Sequence, residues 1–330
     1  MITYDGKEYE PSLLKVGKFI LDHDHFLVVA HIQPDGDAVA STAAMGWILK
    51  QLGKHYTMVN ENSMPEKFLF LPGVVDIISG TSSMERKFSS VIALDCADYS
   101  RVGSIQGLIA EDAHILNIDH HPTNDYYGKC QVIKADAAAT VEILYDLACL
   151  LELKLDRDFA NLIYAGLLTD TGGFRYASTT SKVLKMAARL LELGAKGPEL
   201  ANLLLERMTY EQVSLLQQTL PTLQFTPDRR IAWIVVTSEL IEGAGASNED
   251  LDGLINYPRN VEGVEVGLLI KQRGDMEYKV SFRSAGLVDV ALIAKGFGGG
   301  GHVRASGCTI QGQVEDIIKQ LIQEVGKQLQ

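Results

Sequence analysis

The sequence lacks an apolar run long enough to span a bilayer, a paired-cysteine motif and a Lys/Arg-rich stretch. A membrane helix needs about 18 or more consecutive apolar residues, so none is expected. The four cysteines, Cys96, Cys130, Cys149 and Cys308, are scattered, which argues against a disulfide framework or a thiolate zinc site. The opening MITYDGKEYEPS has neither the basic start nor the apolar block of a secretory signal, so a soluble, cytoplasmic protein is expected. With 30 Lys+Arg against 42 Asp+Glu, the net charge is −12, and no extended basic surface for a long duplex is foreseen. Bound divalent ions or a few converging arginines can still make one cleft positive.

What is present is ordinary globular composition, 46% hydrophobic and 22% charged, over 330 residues. That length favours two domains. Residues 1–190 alternate short apolar strands (Phe26–Ala30, Ser89–Asp95, Ala113–Asp119) with helical patterns near 38–52, 140–151, 158–168 and 182–193. This predicts an α/β domain with a parallel sheet covered by helices. Residues 191–220 are helical in pattern and read as a linker. Residues 221–330 carry strands at 231–237, 264–272, 277–284 and 306–311, with helices at 289–296 and from Val314. An Arg273-Gly274-Asp275 turn is expected between the second and third strands. This predicts a smaller α+β domain.

In parallel sheets, ligands sit beyond the carboxyl ends of the strands. Three such places are rich in donors: His31-Ile32-Gln33-Pro34-Asp35-Gly36-Asp37-Ala38, Leu94-Asp95-Cys96-Ala97-Asp98 and Asp119-His120-His121-Pro122. A fourth group, Thr169-Asp170-Thr171-Gly172-Gly173-Phe174, ends a predicted helix. Each alone also reads as a polar turn or helix cap, Asp37 as the cap of the helix after it. Together, four carboxylates (Asp35, Asp37, Asp95, Asp170) with His31 and His120 form an oxygen and imidazole set. It suits two divalent ions, one carboxylate bridging them at about 3.5–4 Å. Cys96 has no paired base and reads as core. His23, His25, His55 and His114 fall outside these turns and read as surface or structural, with His23 and His25 the pair able to take a stray ion.

HIQPDGDA, LDCAD, DHHP and TDTGGF, in that order, resemble the four motifs of the DHH phosphoesterase superfamily, over roughly residues 15–180. FGGGGHVRASG (Phe297–Gly307) resembles the glycine-rich signature of the DHHA1 domain. In length and layout the chain is similar to the NrnA-type oligoribonucleases and pAp phosphatases. The resemblance implies two divalent ions, Mn²⁺ first, with Mg²⁺ or Co²⁺ as alternatives. His31 and Asp35 would hold one ion, Asp37, His120 and Asp170 the other, and Asp95 would bridge them. His121 would contact the scissile phosphate, and Asp119 would orient the histidine pair.

The second domain would bind substrate through Arg283, Ser284, Gly299, Gly300, Gly301, His302, Arg304 and Ser306. The glycine N–H groups would form an anion-binding concavity. Asn256, Arg259, Phe174 and Arg175 are weaker candidates. The implied activity is hydrolysis of very short RNAs to mononucleotides, with or without release of phosphate from 3′-phosphoadenosine 5′-phosphate (pAp), by a homodimer. A soluble linear or cyclic dinucleotide phosphodiesterase is the nearest alternative. A RecJ-like exonuclease would need further domains, and a pyrophosphatase would lack the GGGGH run. A non-catalytic nucleotide- or RNA-binding module would be expected to have lost ligand residues.

Overall fold

The computed structural model describes residues 6–80 and 86–329. Residues 1–5 of the opening segment, residues 81–85 and Gln330 lie outside it. The chain divides into two compact units, residues 1–207 and 208–330. The division falls within the stretch read as a linker. That stretch contributes to both cores: Leu200 packs in the first unit and Leu215 in the second.

The first unit runs α1 (Gly6–Asp22), β1 (Phe26–Val29), α2 (Gly36–Gln51), β2 (Tyr56–Asn60), β3 (Ile78–Ser79), β4 (Phe88–Leu94), β5 (Ile109–Asp119), β6 (Cys130–Ile133), α3 (Thr140–Leu150), α4 (Arg157–Asp170), α5 (Ser181–Glu192) and α6 (Gly197–Ala201). The six strands are all parallel, in the order β3-β2-β1-β4-β5-β6. Chain order therefore reverses between β1 and β4, the switch point where a doubly-wound sheet opens a crevice at its carboxyl edge.

Both faces of the sheet are covered, which explains why β1 is apolar at every position. Phe26 and Val28 face the helical layer with Val39, Ile48 and Leu144. Leu27 and Val29 face a 3₁₀ segment, Tyr99–Leu108, through Val102 and Ile105. All four β1 side chains are fully buried, each stabilising the fold by about 1.5–3 kcal/mol. Within the helical layer, α2 and α4 approach closely because Gly36 and Gly166 lack side chains. A Cβ on Gly36 would collide with Thr169; one on Gly166 would lie 2.7 Å from Val141 and 2.9 Å from Asp37 Oδ1. This contact carries Asp170, the last residue of α4, to the start of α2.

The second unit comprises α7 (Tyr210–Thr219), β7 (Gln224–Phe225), β8 (Ile231–Val236), α8 (Ser238–Ala244), α9 (Asn256–Arg259), β9 (Val266–Gly274), β10 (Glu277–Ser284), α10 (Val290–Gly296), β11 (Gly300–His302), β12 (Ala305–Gln311) and α11 (Val314–Gln328). Its mixed sheet has the order β11-β12-β10-β9-β8-β7, with β8 and β9 parallel and the other neighbours antiparallel. The β9–β10 turn is Asp275-Met276, with Met276 at φ 55°, and not Arg273-Gly274-Asp275, because Gly274 still pairs with Glu277.

The glycine run enters the sheet at its edge. Gly300–His302 form an edge strand paired with β12, turning through Val303-Arg304. A Cβ on Gly299 would collide with Gly307 O, and one on Gly301 would lie 2.6 Å from Ala305 O. These two glycines serve strand-to-strand approach.

Candidate metal centre

The loops leaving β1, β4 and β5 and the end of α4 bring the predicted donors together. The donor atoms of His31, Asp35 and Asp95 lie within 4.8 Å of one another, and so do those of Asp37, His120 and Asp170. Asp95 stands between the two groups: Oδ2 is 3.7 Å from His31 Nε2, and Oδ1 is 3.5 Å from His120 Nε2. His31 Nε2 is 3.8 Å from Asp35 Oδ2; His120 Nε2 is 3.3 Å from Asp170 Oδ2 and 4.0 Å from Asp37 Oδ2. Most of these separations exceed hydrogen-bond length. They suit neighbouring donors around a shared ion, each bonding it at about 2.0–2.2 Å.

The histidine orientations agree with that arrangement. His31 Nδ1 lies 2.7 Å from Ile32 O, and His120 Nδ1 lies 3.3 Å from Ala137 O. A proton on each Nδ1 leaves Nε2 as the donor toward the cluster. Arg101 adds a cation at the edge, its Nη2 3.1 Å from the same His31 Nδ1; with the proton on Nδ1 this is a close contact of two donors and not a hydrogen bond.

Electrostatics call for cations. Asp37 and Asp95 are buried, and Asp170 is mostly so. Burial first, and then the neighbouring carboxylates, push Asp37 and Asp170 well above the ordinary carboxylate range. Asp95 is raised for the same reasons. Two divalent ions would cancel the four carboxylate charges, and the all-oxygen and imidazole set fits Mn²⁺ or Mg²⁺. Asp95 itself holds a left-handed backbone, φ 52°. Such strain persists where the surroundings over-determine it, often at functional sites.

Asp37 plays a part that its local sequence conceals. Asp35 caps α2, accepting from Asp37 N and Ala38 N. Asp37 instead caps α3, which has no side-chain cap at Ala139. It accepts from Thr140 N at 2.5 Å and Val141 N at 3.1 Å. The Thr140 hydroxyl donates to Asp95 Oδ1 at 3.0 Å. Thr140 thus ties Asp37 to Asp95, and neither residue type nor spacing in the sequence singles it out. Thr140→Val keeps the backbone donor and removes the hydroxyl. It should weaken Mn²⁺ binding about tenfold by calorimetry, while Thr140→Ser stays near wild type.

Beside the cluster, His121 Nδ1 lies 2.7 Å from Asp119 Oδ1 and 3.6 Å from Asp95 Oδ1. Asp119 is fully buried, and its Oδ2 accepts from Asn124 Nδ2 at 2.6 Å; Asn124 in turn donates to Asn117 Oδ1. Burial disfavours a charged His121, but the Asp119 hydrogen bond and the Asp95 and Asp37 charges outweigh it. They raise its pKa to about 9. The Asn117–Asn124 support is also invisible in the sequence, because its members are spread along β5 and the following loop.

The other predicted residues are placed as follows. Cys96 is buried, its thiol pushed up to about 12 by burial. In the second unit, Arg283 is half-buried on β10, with Nη1 donating to Phe282 O. His302 and Arg304 are exposed at the β11–β12 hairpin, Gly300 and Gly301 are exposed, and Gly299 is half-buried. Ser284 and Ser306 are buried, their hydroxyls donating to Glu265 Oε1 and Val290 O. Asn256 is exposed at the start of α9, and Arg259 donates to Asn260. Phe174 packs edge-on against Tyr164, and Arg175 donates to Gly172 O.

Of the remaining histidines, His23 stacks on Phe19 and lies 5.3 Å from His114. His25 and His55 stack at 4.7 Å with planes 17° apart, beside Asp24. The donor atoms of Asp24, His25 and His55 lie within 4.8 Å of one another, but all three residues are exposed, and exposed acidic groups commonly gather without an ion.

This geometry, at the switch point of a parallel sheet with a second mixed-sheet unit, defines a metal-dependent phosphoesterase. Residues 25–167 match the DHH family, N-terminal domain, and residues 232–327 match the DHHA1 domain; the chain belongs to this DHH/DHHA1 phosphoesterase family. It is 36% identical over 307 residues to the bifunctional oligoribonuclease and PAP phosphatase NrnA of Thermus thermophilus, covering 92% of this chain and 89% of that one. The protein of that name from Bacillus subtilis is 28% identical over 300 residues, covering 87% and 90%. The fold matches an exopolyphosphatase-related protein from Bacteroides fragilis with a TM-score of 0.88 at 24% identity, covering 96% of each chain. Among the described residues no helix is long and apolar enough to cross a membrane.

Proposed function

We propose that the chain hydrolyses very short oligoribonucleotides to mononucleotides and also releases phosphate from pAp, using two Mn²⁺ ions. The observation that carries this reading is Asp95, whose two oxygens each face one of two complete donor groups. His31 and Asp35 would hold one ion, Asp37, His120 and Asp170 the other, with Asp95 shared. Ions held there supply an activated water and offset charge on the phosphoryl oxygens. His121, oriented by Asp119, donates a hydrogen bond to the phosphate as negative charge builds on it. Asp119 keeps that ring charged and fixed in place.

The names of relatives matched over nearly their whole length support the substrate class. Arg283, His302, Arg304 and the β11 glycines are the proposed substrate contacts of the second unit, and Asn256 is proposed as a further one. Ser284 and Ser306 would act by holding the loops that present these contacts. A homodimer is part of the same reading.

The test is a time course in Mn²⁺ on a 5′-labelled RNA dimer, pentamer and 24-mer, linear and cyclic diadenylate, pAp and pyrophosphate. Rapid loss of the dimer and pentamer with phosphate from pAp is expected. Turnover of the diadenylates alone would move the enzyme to dinucleotide breakdown. Binding without turnover anywhere on the panel would overturn the reading.

A further inference from the structure

One face of the second unit's sheet gathers cations that the chemistry above leaves unused. Val266, Leu268, Ile270, Val280 and Phe282 point into the core beneath α10 and α11. Alternation therefore sends Lys271 of β9, and Glu277, Lys279, Ser281 and Arg283 of β10, to the opposite face. Arg273 is the extra residue of a bulge, since Gln272 pairs with Tyr278 and Gly274 with Glu277, and its repulsion of both lysines puts it near them. Lys271 and Lys279 are direct partners across the antiparallel ladder, and Thr309 of β12 continues the row.

Like charges set directly opposite each other destabilise a ladder. Both lysines are half-buried, which adds to that cost. Lys271 Nζ meets the neutral Asn248 Oδ1, and Asp252 supplies the favourable charge near Lys279. Burial first, then repulsion from Arg273, holds both ammonium pKa values below the ordinary lysine range; for Lys271, Lys279 adds to it. An anion seated on this row would relieve the repulsion.

The row also stands in line with Arg283, four residues along β10, or roughly 13–14 Å at the rise of an antiparallel strand. Between them lies Ser281, with Gly307 across from it on β12 and the buried Leu269 across from it on β9, so the small step is on the β10–β12 side. One phosphate cannot touch both cationic rows, whereas a linear polyanion lying over the small step can.

We propose that Lys271, Lys279 and Arg273 form a second phosphodiester-binding row, which engages an oligonucleotide at a linkage distant from the phosphate held by Arg283. The proposal rests on the reading of Arg283 as a substrate contact. It adds a length-dependent subsite: oligonucleotides that reach the row gain affinity from it, and pAp does not.

The test is the double variant Lys271→Gln/Lys279→Gln. Fluorescence anisotropy of a 5′-labelled RNA pentamer, in EDTA to stop turnover, is read across roughly 50–200 mM salt. About tenfold weaker binding is expected. The slope of log K against log salt should shrink by about 1.4, at ~0.7 for each single-strand phosphate no longer neutralised. Phosphate release from pAp in Mn²⁺ should be unchanged, and the melting temperature should be equal or higher because opposed charges are gone.

Pentamer binding and slope equal to wild type would overturn the proposal. So would a parallel fall in pAp hydrolysis, which would make the lysines part of the common site. If wild type cleaves no RNA yet the anisotropy result holds, the row stands and the substrate reading fails.

Discussion

Asp95→Asn is expected to lower turnover of every substrate by about a thousandfold or more. The amide has nearly the volume of the carboxylate, so the fold around it should persist. What changes is chemistry: one oxygen acceptor becomes an N–H₂ donor and the negative charge disappears. Asp95 Oδ1 faces His120 and Oδ2 faces His31, so no orientation of the amide serves both groups. Loss of several kcal/mol of transition-state stabilisation from a disrupted two-ion centre is a factor of at least 10³, at about 1.4 kcal/mol per tenfold. Steady-state rates at saturating Mn²⁺ read the effect, with circular dichroism confirming the fold. A fall of less than tenfold would remove Asp95 from the centre.

His121→Gln is expected to reduce kcat by about 10²–10³ while Mn²⁺ binding stays near wild type. The magnitude is that of removing one preorganised donor from a developing oxyanion. The split between rate and metal affinity is the informative part, because the donor atoms of Asp95, His120 and His121 also lie within 4.8 Å of one another, and the proposed roles keep His121 for the phosphate and not for an ion. Asp119→Asn should produce a smaller loss in the same direction, since Asp119 acts through the His121 ring. If His121→Gln loses metal instead, the histidine is a ligand and the division of roles is wrong.

Much of this site is legible in the sequence because parallel-sheet topology obeys a simple rule. His31, Asp35, Asp37, Asp95, Asp119, His120 and His121 all directly follow or end apolar strands, where such sheets open. Asp170 is legible for a different reason: a carboxylate at a helix C-terminus is electrostatically out of place without a cation. The strands β1, β4, β5, β8, β9 and β10 stand out as apolar or alternating runs. Helix α1 does not, despite burying Leu13, Val16 and Ile20, because Pro11 interrupts its start. The four residues of β6, Cys130–Ile133, are too few to show a period.

Roles set by tertiary contact were beyond reach. Asp37 looks like the cap of its own helix, yet it caps one that begins 103 residues later. Thr140 and Asn124 matter only through the carboxylates they touch. Ser284 and Ser306 sit in a substrate-like motif, but Glu265 and Val290 O take their hydroxyls. The close approach of Gly299 and Gly301 to β12 is likewise set by a ladder that the glycine run alone does not reveal.

The central claim is that two ions share Asp95. A Mn²⁺ titration of the wild-type chain, followed by calorimetry and by electron paramagnetic resonance, tests it most directly. The account predicts two ions per chain and the broadened signal of a magnetically coupled pair. One ion per chain, or two that show no coupling, would contradict it.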